Sequence, residues 1–139
     1  TASRRSLASG HAAAGNDGGA VAAPANYDCV MAIAASTSTD GIAYFSNYGP
    51  EIELIAPGYN IYSTYKRGGY TTMSGTSMAC PMVVGAAALA WSAHPGYTNV
   101  QIRNLLTSTA EDIGLTAYQQ GSGLVDAENA TLGSTLGDN

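Results

Sequence analysis

Residues 74–93 read SGTSMACPMVVGAAALAWSA. From Ser77 to about Ala93 the run is apolar all round, mostly small, and free of charge. A stretch apolar on every face predicts a buried helix, and its small side chains let neighbouring backbones approach closely. Pro81 supports a helix start at Ser77, because proline is tolerated in a first turn, where little backbone bonding is lost. Upstream, Cys29 to Ala35 (CVMAIAA) is a continuous apolar run between turn residues, which predicts a strand buried on both faces. Buried strand and buried helix together predict α/β layers.

Working outward, Ile42–Phe45, Glu51–Ile55 and Tyr59–Tyr65 read as short strands, parted by Asn47-Tyr-Gly-Pro50 and Pro57-Gly58. Tyr70–Met73 adds another, and Ala12-Ala13-Ala14 a small-residue strand that runs into the loop Asp17-Gly18-Gly19. Residues 3–9 read as a helix end stopped by Gly10. Thr98 and Gln101 form a capping box, and Ile102, Leu105 and Leu106 follow at helical spacing, so 98–109 predicts an amphipathic surface helix. Gly123–Val125 reads as a last short strand, with Asp126 capping a short helix through Ala130. Much of a second covering layer is missing from this pattern.

Composition narrows the function. The 139 residues fit one domain. Hydrophobic residues make up 45% and charged ones 11%, against an ordinary charged share of ~25%, which excludes a disordered chain. A net charge of −5 with five basic side chains cannot build the basic face that nucleic acid requires. No apolar run is read as reaching the ~18 residues of a membrane span. Neither Cys29 nor Cys80 belongs to a CxxC pair, and His11 and His94 are far apart, so no zinc site is expected.

Chemistry concentrates in Ser74-Gly75-Thr76-Ser77-Met78-Ala79-Cys80-Pro81. A hydroxyl where a helix begins lies beside unpaired N–H groups and the positive end of the dipole. Such donors can hold the oxyanion that forms when the hydroxyl attacks a carbonyl. Ser77 can equally serve as a plain N-cap. Asn16 ends the small-residue strand, and its amide N–H₂ is a neutral donor able to bind a developing oxyanion; alone it would be an ordinary turn asparagine.

Together these segments resemble the subtilisin-like serine proteases. Gly75-Thr-Ser-Met-Ala79 followed by Pro81 is similar to that family's nucleophile motif, and Ala14-Gly-Asn-Asp-Gly18 to its oxyanion-asparagine motif. Phe45-Ser-Asn-Tyr-Gly-Pro50, Ile55-Ala-Pro-Gly58, Ile61-Tyr-Ser-Thr64 and Gln120-Gly-Ser-Gly-Leu-Val-Asp126 follow in the family's order, so the likeness spans about residues 12–130. The resemblance implies a three-layer α/β fold with a mostly parallel sheet, of which residues 1–139 would be the C-terminal half only. It implies Ser77 as nucleophile, Asn16 and the Ser77 backbone N–H as oxyanion donors, and Ala13, Ala14 and Gly15 as lining for the substrate side chain. Thr76 would be an outer contributor to substrate binding. The implied protein is a secreted, extracellular endopeptidase acting on polypeptides, with no nucleic-acid or membrane partner. Calcium is the one cofactor the resemblance allows, with no metal ligand identifiable.

The departures are informative. The family's catalytic aspartate and histidine precede the asparagine motif, yet only 15 residues precede Asn16 here. Both would come from an N-terminal half of the same domain, the expected partner. His94 lies roughly 25 Å from Ser77 at 1.5 Å of helix per residue, and His11 lies back along the strand, so both are expected to be bystanders. Met82 stands where a histidine is common. A G-x-S-x-G elbow fails, because the fifth residue is Ala79 and no histidine follows the later acids. The rival from another class is a non-catalytic fragment that packs on a partner. Asn129-Ala-Thr131 is a glycosylation sequon. Both cysteines are expected in the core as unpaired thiols, although secretion favours a bridge.

Overall fold

The computed structural model describes residues 10–133. Three parallel strands, β1 (Gly10–Ala13), β2 (Val30–Ser36) and β3 (Ile52–Pro57), form a sheet in that spatial order. A separate antiparallel hairpin pairs β4 (Ile61–Tyr65) with β5 (Gly69–Met73) through a turn at Lys66–Gly68. The helices are α1 (Thr76–Ala93), α2 (Asn99–Ser108), α3 (Ala117–Gln120) and α4 (Ala127–Leu132). The α/β class holds, with a parallel sheet at its centre.

Strand β2 explains why its sequence is apolar without alternation. Met31, Ile33 and Ala35 face one core, shared with Leu54, Ala56 and the inner side of α1. Ala32 and Ala34 face a second core with Ala14, Val21, Ile52 and Ile55. Alternate side chains point to opposite faces, so a strand covered on both sides needs apolar residues throughout. The register slips between Ala32 and Ile33, and this inserts Glu53 as an extra residue in β3. That bulge turns Ile52 to the second face and frees Glu53 to pair with the Arg103 guanidinium, tying β3 to α2.

Helix α1 sits on the first face. Gly58 makes that possible: a Cβ there would come within 2.6 Å of the Ala35 Cβ and 2.7 Å of the Gly75 carbonyl oxygen. The Gly75 N–H donates to the Gly58 carbonyl at 2.8 Å, seating the start of α1 against the end of β3. The capping box at Thr98 and Gln101 forms as expected, and Asp126 caps α4 through the Asn129 N–H.

Several expectations need correction. Residues 42–45 make only an isolated bridge, Ser36 to Ile42, and residues 123–125 are likewise held by single bridges from Leu124 to Ile55 and Glu111. Gly10 begins β1 rather than ending a helix, and the expected helix over 3–9 lies outside the described residues. Helix α1 is buried along one stripe only; Met82, Val84, Leu89 and Trp91 are exposed. It spans 18 residues at a mean hydropathy of 1.3, long and apolar enough to cross a membrane by length and composition. Its contacts, however, are with the sheet, α4 and α2. Pro81 lies inside the helix, not in its first turn. Cys29 precedes β2 and is exposed, whereas Cys80 is half-buried, and both are free thiols.

Candidate active site

Strand β1 delivers Asn16 to the mouth of the sheet, and the β3–α1 junction delivers Ser77 beside it. Gly75 is the N-cap of α1, Thr76 its first residue and Ser77 its second. Ser77 is therefore not the cap, and its side chain is exposed. The first four N–H groups of a helix have no intrahelical partner. Here Thr76 N donates to Asn16 Oδ1 at 2.8 Å and Met78 N to the Gly75 carbonyl at 3.0 Å. Among the hydrogen bonds of the described residues, none engages the Ser77 N–H. Pro81 adds a second local effect. In an unbroken helix the N–H of residue 81 would reach the carbonyl of Ser77, and proline has none.

Thr76 is wholly buried. Its hydroxyl donates to Asn16 Oδ1 at 2.8 Å and accepts from Gly15 N at 3.1 Å. Two donors from one residue fix Oδ1 as the inward atom of the Asn16 amide, so Nδ2, the donor end, is the outward one. A methyl-sized group at Gly75 would lie 3.6 Å from Asn16 Nδ2 and 3.7 Å from the Ser77 nitrogen. Two N–H donors thus border one small space beside an exposed hydroxyl. That arrangement can hold a carbonyl oxygen as it gains charge.

The other expected residues divide. Ala13 and Gly15 are half-buried, with Gly15 N donating to the Thr76 hydroxyl, while Ala14 is fully buried in the second core. The Ala14 carbonyl accepts from Ala22 N and from Asn47 Nδ2, so it is committed to the fold. A cavity of about 330 Å³ is lined by Ser77 together with hairpin residues, Met73 among them, and by Met78, Pro81 and Met82. A larger cavity of about 570 Å³, between the start of β3 and α2, shares no residue with this site. Sequence reasoning had not singled out Asn47 or Met73; each makes its contact only through the tertiary fold.

His94 caps the far end of α1, where its Nε2 lies 3.1 Å from the Thr131 carbonyl and its ring stacks on Tyr97. His11 lies in β1, paired in register with Met31. Among the described residues no three His, Cys, Asp or Glu side chains come together as a metal site. Asn129 lies in α4 and donates its amide to Asp126, so its sequon is folded into a helix. Burial pushes the Cys80 thiol above its ordinary pKa. Hydrogen bonds from Gln120 and from the Gly114 N–H hold the Asp112 carboxyl below its usual range.

A serine near the start of a helix thus lies beside an amide donor at the end of a parallel strand, on an α/β scaffold. The chain belongs to the subtilase family, whose model matches residues 7–130. It is 53% identical over 120 residues to the halolysin-like extracellular serine protease Nep of Natrialba magadii, covering 86% of this chain and 22% of that protein. To subtilisin Savinase of Lederbergia lenta it is 48% identical over 121 residues, covering 86% of this chain and 45% of that one. Among solved structures, a protease of Pseudoalteromonas arctica matches with a TM-score of 0.79 at 38% identity, over 86% of this chain and 41% of that one. A lanthipeptide protease matches at 0.82 and 25% identity, over 88% and 50%. The chain spans half or less of the length of these relatives.

Proposed function

We propose that this chain carries the nucleophile and oxyanion donors of a secreted serine endopeptidase, with the catalytic aspartate and histidine supplied by a segment outside it. One observation carries the reading: the two bonds from Thr76 that turn Asn16 Nδ2 outward, onto the space shared with the Ser77 N–H. In this chemistry the histidine takes the proton from Ser77 Oγ as the oxygen attacks a peptide carbonyl. The carbonyl oxygen, now negative, is held by Asn16 Nδ2 and the Ser77 N–H. Collapse expels the amine, protonated by the histidine, and leaves an acyl group on Ser77 that water then removes. In this reading Ala13, Ala14 and Gly15 line part of the pocket for the substrate side chain preceding the cut bond. Thr76 acts through Asn16, because its buried hydroxyl cannot meet substrate. The substrate is a polypeptide and the setting extracellular, in keeping with the names of the relatives.

The test uses the complete peptidase. Ser77→Ala should abolish turnover and fluorophosphonate labelling while the fold persists. Asn16→Ala should lower kcat by about 10²–10³, a figure that comes from a subtilisin itself and is borrowed here. Turnover that survives Ser77→Ala would overturn the assignment. Failure of the intact assembly to label would favour the non-catalytic packing fragment.

A further inference from the structure

We propose that Asn47 is a positioning residue for Asn16: it clasps the 14–19 loop from beneath and sets where the oxyanion-binding amide stands. The proposal rests on the reading of Asn16 as an oxyanion donor. Asn47 is fully buried, and both polar atoms of its side chain are hydrogen-bonded. Its Nδ2 donates to the Ala14 carbonyl at 3.0 Å, and its Oδ1 accepts from Asp17 N at 2.9 Å and Gly19 N at 3.1 Å. Its backbone N–H donates to the Gly15 carbonyl at 2.9 Å. These partners bracket Asn16 in sequence, two before it and two after. With a carbonyl at one end and two N–H groups at the other, the amide has a single orientation that satisfies all of them.

The clasp is itself anchored. Ser46, also buried, accepts from Ala35 N in β2 at 3.0 Å and donates to the Asn47 carbonyl at 3.1 Å. A continuous line of bonds therefore runs from the central strand through Ser46 and Asn47 to the loop. Asn16 is gripped twice: its backbone neighbours by Asn47 and its side chain by Thr76. Gly15 belongs to the same device. It has φ 106°, and a Cβ there would meet Asn47 Nδ2 at 2.3 Å, so only glycine lets the amide lie directly under the loop. The chemistry also selects asparagine. Aspartate would aim an acceptor at the Ala14 carbonyl, and serine is too short to bridge residues 14 and 19.

A loop built this way is worth a rate because a donor misplaced by about 1 Å can cost a hundredfold in turnover. In the complete peptidase, Asn47→Ala should lower kcat by about ten- to a hundredfold with KM changed by no more than about threefold, a split that marks loss of transition-state contacts. In an Asn16→Ala background the same change should cost about twofold or less, within ordinary additivity error, since nothing is left to position. Should Asn47→Ala melt below the assay temperature, Asn47→Asp provides the comparison, as it keeps the shape and the acceptor for Asp17 N and Gly19 N but turns an acceptor toward the Ala14 carbonyl. Equal losses in both backgrounds, or an unchanged kcat in Asn47→Ala or Asn47→Asp beside a crippled Asn16→Ala, would overturn this proposal alone. A fully active Asn16→Ala would overturn the oxyanion reading and the clasp with it.

Discussion

At the scale of single residues, the two thiols show how position governs reactivity. Cys29 is exposed ahead of β2, while Cys80 is half-buried on α1 with its thiol pushed up by burial. The thiolate is the reactive species, so raising the pKa lowers its population at any given pH. Iodoacetamide at mildly alkaline pH should therefore modify Cys29 well before Cys80, and two equivalents should titrate after denaturation without reductant. Equal labelling rates, or no titratable thiol, would contradict this account. Asp112 provides the pH counterpart. Its carboxyl is held below the ordinary range by bonds from Gln120 Nε2 at 2.8 Å and Gly114 N at 2.9 Å. A depressed carboxyl stabilises the fold above its unfolded pKa, near 3.9, and that contribution is lost as pH falls through the folded value. Asp112→Asn should flatten the acid limb of a stability–pH curve while leaving it unchanged at neutral pH apart from a constant offset.

At the scale of elements, the contact between β3 and α1 is the tightest demand on the sequence. Gly58→Ala would push a methyl against the Ala35 Cβ and the Gly75 carbonyl, neither of which can rotate away. Overpacking of this kind costs about 1–3 kcal/mol, so the melting temperature of the peptidase should fall, and activity with it, since Gly75 leads directly into Ser77. A neutral Gly58→Ala would show that the junction is slack. What the sequence revealed of these elements follows how local their causes are. The Thr98/Gln101 box could be read because both partners lie within one turn. The same Thr-x-x-Gln pattern at Thr116 and Gln119 caps the short α3 and was a signal within reach. Residues 42–45 read as a strand because β propensity says nothing about a partner; they make only an isolated bridge to β2, and the Phe45 carbonyl accepts from Gly18 N in a loop. The bulge at Glu53 depends on the register of two strands. The clasp of Asn47 depends on a loop thirty residues away in sequence. Ser77 and Asn16 are legible as motifs, whereas the two bonds from buried Thr76 to Asn16 Oδ1 join residues sixty apart in sequence and are not.

At the scale of the whole molecule, the side of α1 turned away from the sheet governs behaviour in solution. Met82 and Leu89 lie seven residues apart on one exposed line, Val84 and Trp91 on another, and they flank the buried stripe through Val83, Ala86 and Ala90. The helix carries no charged residue to hold that surface in water. Strand β1, on the sheet edge, pairs only with β2 among the described residues, and an open parallel edge invites association. The 139-residue chain by itself should therefore aggregate or populate a molten state, binding a hydrophobic dye and melting without a cooperative transition. It should also fail to hydrolyse peptides: Ser77 without an adjacent base is a weak nucleophile at neutral pH, and His94 is engaged at the opposite end of α1. Supplying the family's aspartate- and histidine-bearing segment should restore both solubility and fluorophosphonate labelling of Ser77. The two halves of this prediction fail separately. A monodisperse, cooperatively melting monomer would show that the exposed face of α1 is tolerated in water, and proteolysis by that monomer, abolished by Ser77→Ala, would show that a base for Ser77 lies within the chain.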